Sequence, residues 1–402
     1  MNKKKLMVMG GSAVLIPFIE EAHRYGIHVI TVDYLPHNRA HEYSDEYYNI
    51  SVPNKEEVLD LAKKLKIDGI SSFACDAGAV SAAYVAEQLG LPFQCTYDAA
   101  VILQDKSLFR DFLTKHNFNV PTARGYQNEE ECLTDLDAFS WPVIVKPRDS
   151  AGSKGVSKVE SREKLSYAIR NALQSSISKG YIIEDYIEAK GLPSGAECFF
   201  VNGVLKYAAI YDQCFDIKSD NRFVPIGERW PSKTYAKYVD ELKLELQRLS
   251  DLLHLKTGLY NVEFRISTND ILYIMEVTPR AGGNGLADML GYAADINLIE
   301  EELKHTMGLS NEIQTPIFKS GIHQIYVLHS RVSGIYEQLI IHEPIKSKNL
   351  IKESMWIKKG EEVHALAGGN NNIGTLFLRF DNEEGADEFM NNSEEYINIL
   401  LK

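Results

Sequence analysis

The sequence predicts an α/β protein that starts with an open parallel sheet and continues into antiparallel strand pairs. Residues 5–97 alternate strand-like and helix-like segments, which is the order expected of βαβ units. Two later segments, 196–212 and 260–278, each contain two strand-like runs separated by turn residues. Parallel pairing is therefore expected in the N-terminal part, and antiparallel pairing in the middle of the chain.

The N-terminal segment supplies the parallel strands. Its first strand ends in Gly10-Gly11-Ser12, and Asp33 lies about twenty residues later, as in dinucleotide-binding units. The order GGSAVL lacks the GxGxxG spacing, so a tight strand-to-helix turn is favoured over nucleotide binding there. The expected strands are 6–11, 28–34, 69–74 and 91–95, and the expected helices are 13–25, 54–66 and 78–89.

The rest of the chain mixes helices with strands. Asn202-Gly203 lies between two apolar runs and is a strong β-hairpin signal. The polar stretch 213–232 is expected to be irregular, and the loop 368–372 to be flexible. Further strands are expected at 141–147, 181–187, 322–329, 338–341 and 374–380, and helices at 98–116, 161–175, 233–255 and 286–307, with a closing helix at the end.

Composition and charge narrow the class of protein. The 402 residues include 43 basic and 56 acidic side chains, a formal net charge of −13, which argues against nucleic acid as a main partner. No run of 18 or more apolar residues occurs, so no membrane span is expected. The five cysteines form no CxxC pair, which favours a reducing cytoplasm over a disulfide framework or a zinc site. The N-terminal segment has lysines before an apolar stretch, as a signal peptide does, but a buried strand that leads into a glycine turn is favoured.

Two acidic residues, Glu263 and Glu276, are the strongest functional signal. If residues 267–270 close a hairpin, both carboxylates lie on one face, roughly 5–8 Å apart. Such a pair suits Mg²⁺ or Mn²⁺, which bind hard oxygen ligands and substrate phosphates together. Arg280 follows closely and supplies a positive charge for an anion. The alternative is a surface hairpin with ordinary charged edges. The expected register pairs Arg265 with Leu272, Glu263 with Ile274 and Asn261 with Glu276.

A second group of residues suits phosphate binding. Lys146 ends an apolar strand, where an ammonium group needs an anion or water. The small-residue loop 149–156 follows it, lets backbone N–H groups approach phosphate oxygens, and adds the charge of Lys154. The alternative for Lys146 is that its aliphatic side chain extends so that the ammonium group reaches solvent. Lys106 starts a helix and, taken alone, is typical of an ordinary solvated lysine. The strand YIIEDYIE (181–188) offers backbone groups and apolar side chains to an adenine ring, or is an ordinary strand end.

The order of these motifs resembles the ATP-grasp superfamily. Lys106, VIVKP, a serine/glycine loop, EDYIE, GAE, NVEF and EVTPRAGG occur in the family's sequence order, over roughly residues 5–310. The resemblance implies an ATP-grasp fold, with an open parallel-sheet domain before two α+β subdomains that clamp ATP. It implies boundaries at 1–97 for the first domain, 98–180 and 181–310 for the two grasp subdomains, and 311–402 for a small C-terminal α/β domain.

The resemblance also implies roles for individual residues. Lys106 and Lys146 match phosphate-binding lysines, and Ser150 to Gly155, including Ser153 and Lys154, match a mobile phosphate lid. Glu184 and Ile187 match backbone positions that hold adenine, and Glu197 matches an acidic ribose ligand. Glu263 and Glu276 match the metal-bridging carboxylates, and Arg280 matches the arginine that stabilises an acyl phosphate. Where most members have Asn after the second metal Glu, this chain has Thr278, so the second metal site is expected to be weaker or completed by water, Asn261 or Asn284.

The chemistry implied is ATP-dependent ligation. A carboxylate attacks the γ-phosphate of ATP, and an amine then displaces phosphate from the acyl phosphate. FVPIGERWPS and PRAGGNGLADML resemble the branch that contains L-amino-acid ligases and carbamoyl-phosphate-synthase-like proteins. Gly283, Asn284, Glu228 and Arg222 are the implied substrate contacts, although Glu228 and Arg222 also suit solvated loops.

The expected activity is therefore a carboxylate–amine ligase that uses ATP and Mg²⁺ (or Mn²⁺) on small molecules, with an amino acid as the expected carboxylate, in the cytoplasm. A homodimer is compatible with the resemblance. The alternatives are a biotin-carboxylase-like or purine-pathway enzyme that uses the same ATP site, and a non-catalytic nucleotide sensor. Retention of Glu263, Glu276 and Arg280 argues against the sensor, since binding alone needs no transition-state charge.

Overall fold

The N-terminal part is a parallel sheet, as predicted, and it has four strands, of which residues 46–49 were not expected from the sequence. The computed structural model describes residues 3–216, 218, 219, 221–234, 236–313 and 316–402. Strand order is β3-β2-β1-β4, because each crossover places the next strand beside an earlier one. The strands are β1 (Lys5–Met9), β2 (His28–Asp33), β3 (Glu46–Asn49) and β4 (Gly69–Ser71), and the helices are α1 (Ile16–Arg24), α2 (Lys55–Leu65) and α3 (Asp76–Leu89).

Two further details of this region differ from the prediction. Residues 91–95 are extended but form no strand, because the Gln94 carbonyl accepts hydrogen bonds from the Lys256 N–H at 2.7 Å and from the Tyr260 hydroxyl instead of joining a ladder. The predicted helix 98–116 is divided into α4 (Tyr97–Gln104) and α5 (Lys106–Lys115). Asp105 between them is extended, and its side chain caps α5 by accepting from Ser107 N–H at 2.9 Å. Lys106 therefore begins a helix.

A four-stranded antiparallel sheet follows, in the order β5-β8-β6-β7. Helix α7 packs on one face and buries Leu165, Ile169 and Ala172 against Val143 and Val145. This sheet carries Lys146 and Glu184 on neighbouring strands. The elements are β5 (Ala123–Tyr126), α6 (Glu129–Leu133), β6 (Val143–Pro147), β7 (Ser157–Val159), α7 (Leu165–Ser175) and β8 (Tyr181–Asp185).

The largest sheet has eight antiparallel strands in the order β13-β12-β9-β10-β11-β14-β18-β16. The hairpin at Asn202-Gly203 is confirmed, since Val204 pairs with Val201. The prediction of an irregular 213–232 is wrong, because this stretch contains a buried strand, Pro225–Trp230, between two others. The strands are β9 (Ser194–Val201), β10 (Val204–Phe215), β11 (Pro225–Trp230), β12 (Gly258–Ile266), β13 (Leu272–Thr278), β14 (Ile322–Leu328), β16 (Leu350–Met355) and β18 (Gly374–Phe380).

The C-terminal segment continues this sheet. Gly227 of β11 pairs with Tyr326 of β14, so strands from before and after residue 310 belong to the same sheet. The domain boundaries remain a prediction. The chain does not close in a helix: β19 pairs with β15 in a small separate sheet. The predicted helix 286–307 is two helices. The remaining elements are α8 (Ala236–Leu253), α9 (Leu286–Ala294), α10 (Leu298–Thr306), β15 (Gly334–Ile341), β17 (Glu362–Val363), α11 (Glu383–Asn391), α12 (Ser393–Tyr396) and β19 (Ile397–Leu401).

In the part of the chain that the structure describes, every helix is too short or too polar to cross a membrane.

Candidate functional site

The two predicted metal carboxylates face each other across β12 and β13. Glu263 pairs directly with Glu276, and the expected pairing of Glu263 with Ile274 is wrong. The register shifts at a β-bulge, because Met275 is left without a cross-strand partner and its carbonyl accepts from the Arg110 guanidinium at 2.9 Å. Directly opposed residues point to the same side of a sheet. The acids therefore share a face, as predicted, but in a different register.

The charges around this pair differ for its two members. Reduced hydration and the facing Glu276 raise the pKa of Glu263, although its side chain keeps contact with solvent. Burial alone would raise the pKa of Glu276, but Lys106 and Arg280 outweigh it and the net pKa is lowered. The Lys106 ammonium lies 3.4 Å from Glu276 Oε2. One acid is thus already paired with a cation, while the other faces a like charge.

Lys146 belongs to a buried ionic group of three side chains, of which only Lys146 and Glu184 were predicted as site residues. Its Nζ lies 2.5 Å from Glu184 Oε1, and Arg110 Nε donates to Glu184 Oε2 at 3.1 Å. Burial lowers the pKa of Lys146 to about 8 despite the carboxylate. Burial would raise the pKa of Glu184, yet Lys146 and Arg110 hold it at about 2. Arg110 was missed. Its signal in the sequence is an arginine beside Phe109 on the apolar face of a helix.

The predicted adenine-binding positions lie at the end of the same strand. Glu184 pairs with residues on both neighbouring strands. After it, the Asp185 N–H donates to the carbonyl of residue 122 and the Tyr186 N–H donates to the carbonyl of residue 142. Ile187 follows this ladder and is buried. The strand end and Lys146 are therefore on one small sheet, while Lys106 begins helix α5. The adenine assignment stays a prediction.

The predicted phosphate lid is docked against two other loops. Ser153 Oγ donates to the Phe223 carbonyl at 2.7 Å, and Gly369 N–H donates to the Gly152 carbonyl at 3.0 Å. Lys106 Nζ also donates to the carbonyl of Ser150 at 3.1 Å. Lys154 is exposed, and Gly155 adopts a left-handed φ of 71° where an added Cβ would lie 2.8 Å from Ser175.

Asn221 links these loops. Its side-chain amide donates to the Ser153 carbonyl at 3.0 Å and to the Ala367 carbonyl at 2.8 Å. The lid, the segment before β11 and the C-terminal loop are therefore held together in this structure.

Arg280 is anchored by the N-terminal domain. Its Nε and Nη2 contact Asp76 Oδ1 at 2.8 and 2.6 Å, and its Nη1 donates to the Ala281 carbonyl at 2.8 Å. Burial would lower the pKa of Arg280, but Asp76 and neighbouring carboxylates raise it, so the side chain stays charged. Asp76 is the first residue of α3 and lies far away in sequence, so no local pattern identifies it.

Glu197, the predicted ribose ligand, lies in the interior of the largest sheet. Its side chain is fully buried, and its Oε1 accepts from Asn261 Nδ2 at 2.6 Å and from the Gly282 N–H at 3.0 Å. Burial raises its pKa to about 7. An added Cβ on Gly282 would lie 2.5 Å from this carboxylate. These contacts use one oxygen to hold the loop after Arg280, while Oε2 has no hydrogen-bond partner among the described residues. The ribose contact of Glu197 stays a prediction.

The departure at Thr278 is also explained by local contacts. Its hydroxyl is buried and donates to the Asn261 carbonyl at 3.4 Å. It is therefore turned into the sheet. The Asn261 amide, which was considered as a substitute ligand, donates to Glu197 and to the Tyr211 hydroxyl.

Two of the predicted substrate contacts come together. Asn284 Nδ2 donates to Glu228 Oε1 at 2.8 Å, and Asn372 Nδ2 donates to Asn284 Oδ1 at 3.3 Å. An added Cβ on Gly283 would meet nothing within 4 Å, so this residue borders open space. Arg222 is exposed, and among the described residues it makes no contact with Glu228 or Asn284. Asn372 was missed because its segment reads as a flexible loop.

The acid pair suits a divalent cation that completes its shell from a ligand. Among the described residues, no group of three or more His, Cys, Asp or Glu side chains is arranged to hold a metal ion. Two carboxylates alone are typical of Mg²⁺ sites that also use substrate phosphates. The repulsion between Glu263 and Glu276 is relieved when a cation lies between them.

Comparison with known proteins supports the fold. Residues 139–288 match the family described as ATP-grasp domain. The solved structure of L-amino acid ligase from Bacillus licheniformis superposes with a TM-score of 0.81 at 18% identity, covering 100% of both chains. That of phosphoribosylglycinamide synthetase from Anaerococcus prevotii gives 0.76 at 20% identity, also covering 100% of both. At such identities the likeness concerns the fold, and the predicted fold is confirmed.

A curated relative is similar over a shorter part of its own length. The carbamoyl phosphate synthase large chain of Clostridium beijerinckii is 23% identical over 304 residues, which are 70% of this chain and 27% of that protein. This chain thus spans about a quarter of that relative.

Proposed function

We propose that this chain, which has the ATP-grasp fold and an ATP-grasp domain at residues 139–288, is an ADP-forming carboxylate–amine ligase. The proposal rests above all on the direct opposition of Glu263 and Glu276 beside Lys106. Its carboxylate substrate is an amino acid, which it joins to an amine in a peptide or amide bond. The L-amino acid ligase of similar fold supports this choice of substrate.

Binding of ATP is assigned to groups on both sides of the cleft. Lys106 and Lys146, which contact the Ser150 carbonyl and Glu184 in this structure, are assigned to phosphate oxygens, and the lid of residues 150–155 is assigned to cover the phosphates with backbone N–H groups. The strand end at Glu184 and Ile187 takes the adenine ring through backbone groups. Glu263 and Glu276 would hold Mg²⁺, which would supply charge neutralisation and alignment of the phosphates.

The ligation takes place in two steps. A carboxylate oxygen of the substrate attacks the γ-phosphorus, the bond to the β–γ bridging oxygen breaks, and ADP leaves. The amine nitrogen then attacks the acyl carbon, loses a proton, and phosphate leaves. Such phosphoryl transfer needs positioning and charge rather than covalent help. Arg280, held by Asp76 and by its own loop, stabilises the negative charge that develops on the transferred group.

The test is release of ADP from ATP and Mg²⁺ in the presence of single amino acids, other carboxylates, bicarbonate and formate, each with and without a library of amines. We expect ADP release that depends on an amino acid and an amine, with a condensation product of matching mass. Turnover with bicarbonate or formate alone would favour the carboxylase-like or purine-pathway alternative. Nucleotide binding without turnover under any condition would favour a sensor.

A further inference from the structure

Three polar side chains form a short hydrogen-bonded chain beside the loop that follows Arg280. Asn284 lies in its centre, donating to Glu228 Oε1 at 2.8 Å and accepting from Asn372 Nδ2 at 3.3 Å. Its backbone is left-handed, with φ of 57°. Each outer residue has one side-chain oxygen that accepts no hydrogen bond. These atoms, Glu228 Oε2 and Asn372 Oδ1, are buried and have no hydrogen-bond partner among the described residues.

The ionisable groups at this place are carboxyl groups. Glu228 is only 2% exposed, and burial raises its pKa to about 7. The charged group that acts on it is another carboxylate, Glu197, which raises its pKa further. Buried carboxylates in proteins are generally paired with a cation. The two free oxygens are acceptors, so the missing partner is a group with several N–H donors and a positive charge.

The position of Glu228 relative to the metal pair follows from the sheet register. Glu263 pairs with Gly195, Gly195 with Tyr211, and Glu228 with Gln213, two residues after Tyr211, so Glu228 shares the sheet face of Glu263. Three strand spacings separate the two acids, about 14 Å laterally. The ring of Tyr211 lies over Gly195, where an added Cβ would be 2.4 Å from the phenol. Tyr211 therefore lies between the metal pair and Glu228 on this face.

We propose that Glu228 and Asn372 form an ammonium subsite, which restricts the activated carboxylate to amino-bearing acids. The inference rests on the proposed ligase function and deepens it. A protonated amine offers three donors, enough for Glu228 Oε2 and Asn372 Oδ1. An acid without an amine leaves the buried carboxylate unpaired, and sites built to bond a polar group reject analogues that lack it. Gly283, next to Asn284, borders open space.

The experiment compares matched substrates in the full-length protein. The amino acid with the highest turnover is paired with the acid of the same carbon skeleton that lacks the amino group. Initial rates of ADP release at saturating ATP and Mg²⁺ give kcat and KM for each acid. The variants are Glu228→Gln, Asn372→Ala and Asn372→Asp. The control is Glu302→Gln, which alters another buried carboxylate, one that accepts from Leu259 N–H and lies outside the site.

We expect the wild type to prefer the amino acid at least 100-fold in kcat/KM. Glu228→Gln should raise KM for the amino acid 10-fold or more, leave KM for ATP within two-fold, and reduce the preference. Asn372→Ala should act in the same direction and Asn372→Asp should restore binding, since it keeps an acceptor and adds charge. Glu302→Gln should keep the preference. Equilibrium binding of both acids to the wild type with MgADP gives the same comparison without any variant.

The outcomes separate the two proposals. Equal use of both acids, or an unchanged preference in Glu228→Gln, overturns the ammonium subsite and leaves the ligase function standing. Absence of ADP release with every acid overturns the ligase function. In that case selective binding of the amino acid to the wild type, lost in Glu228→Gln, still supports the subsite, and equal or absent binding overturns it as well.

Discussion

Asp76→Asn tests whether the N-terminal domain positions Arg280 for catalysis. Two guanidinium nitrogens contact Asp76 Oδ1 at 2.8 and 2.6 Å, and the two side chains are only 10% and 15% exposed. Removing one member of a buried ion pair costs about 3–5 kcal/mol. Asparagine keeps an acceptor oxygen, so we expect a loss near the lower end of that range.

The same change should reduce the rate of ligation. If the whole loss of about 3 kcal/mol were expressed in the transition state, kcat would fall about 100-fold, since each 1.36 kcal/mol is about a factor of ten. Arg280 retains its bond to the Ala281 carbonyl. We therefore expect a decrease of kcat of about 10- to 100-fold, with a smaller change of KM for ATP.

The assay combines amino-acid-dependent ADP release with urea unfolding of the same protein samples. Asp98→Asn is the matched control, because Asp98 also lies in the first turn of a helix but is exposed. It should cost about 0.3–1 kcal/mol through the helix dipole and leave kcat unchanged. A folded Asp76→Asn protein with a kcat within two-fold of the wild type would refute the anchoring of Arg280.

Three further predictions concern the cleft. The pKa of Lys146 is about 8, so its ammonium group loses a proton as pH rises from 7 to 9, and KM for ATP should rise over that interval. Lys146→Arg should give a KM that does not change with pH. A wild-type KM that does not change with pH would contradict the assignment of Lys146 to phosphate. Glu184→Gln should cost about 3–5 kcal/mol in urea unfolding at pH 7. The pKa of Glu184 is about 2 when folded, against 4.5 ordinarily, so its stabilisation is present above pH 4.5 and lost as pH falls towards 2, and the variant should lose less stability over that interval. Gly282→Ala should destabilise the protein by about 1–3 kcal/mol, because the added Cβ would lie 2.5 Å from Glu197 Oε1, while Gly283→Ala, with nothing within 4 Å, should leave the unfolding midpoint unchanged.

Local patterns predicted the elements whose signals are contained in a few residues. Asn202-Gly203 predicted a hairpin, and the alternation of strand-like and helix-like segments in residues 5–97 predicted a parallel sheet; the structure has both. The strand 225–230 was missed because it carries Glu228 and Arg229 inside the sheet, where buried polar groups break the apolar pattern of a strand.

Long-range contacts account for the rest of the differences. The register of Glu263 and Glu276 depends on a bulge whose free carbonyl is bonded by Arg110 from a distant helix. Asp76 and Asn372 reach the site from the N-terminal domain and from a C-terminal loop. Neither has a motif around it, and only the folded chain brings them to Arg280 and Asn284.

The affinity for ADP with and without Mg²⁺ tests the opposed acid pair most directly. The double variant Glu263→Gln/Glu276→Gln is compared by calorimetry with the wild type and with Glu383→Gln/Glu384→Gln, which removes two exposed acids from the first turn of α11. Mg²⁺ should tighten ADP binding at least 10-fold in the wild type and in the control. It should have no effect in the site variant, which should also release no ADP from ATP. Equal tightening by Mg²⁺ in all three proteins would contradict the account.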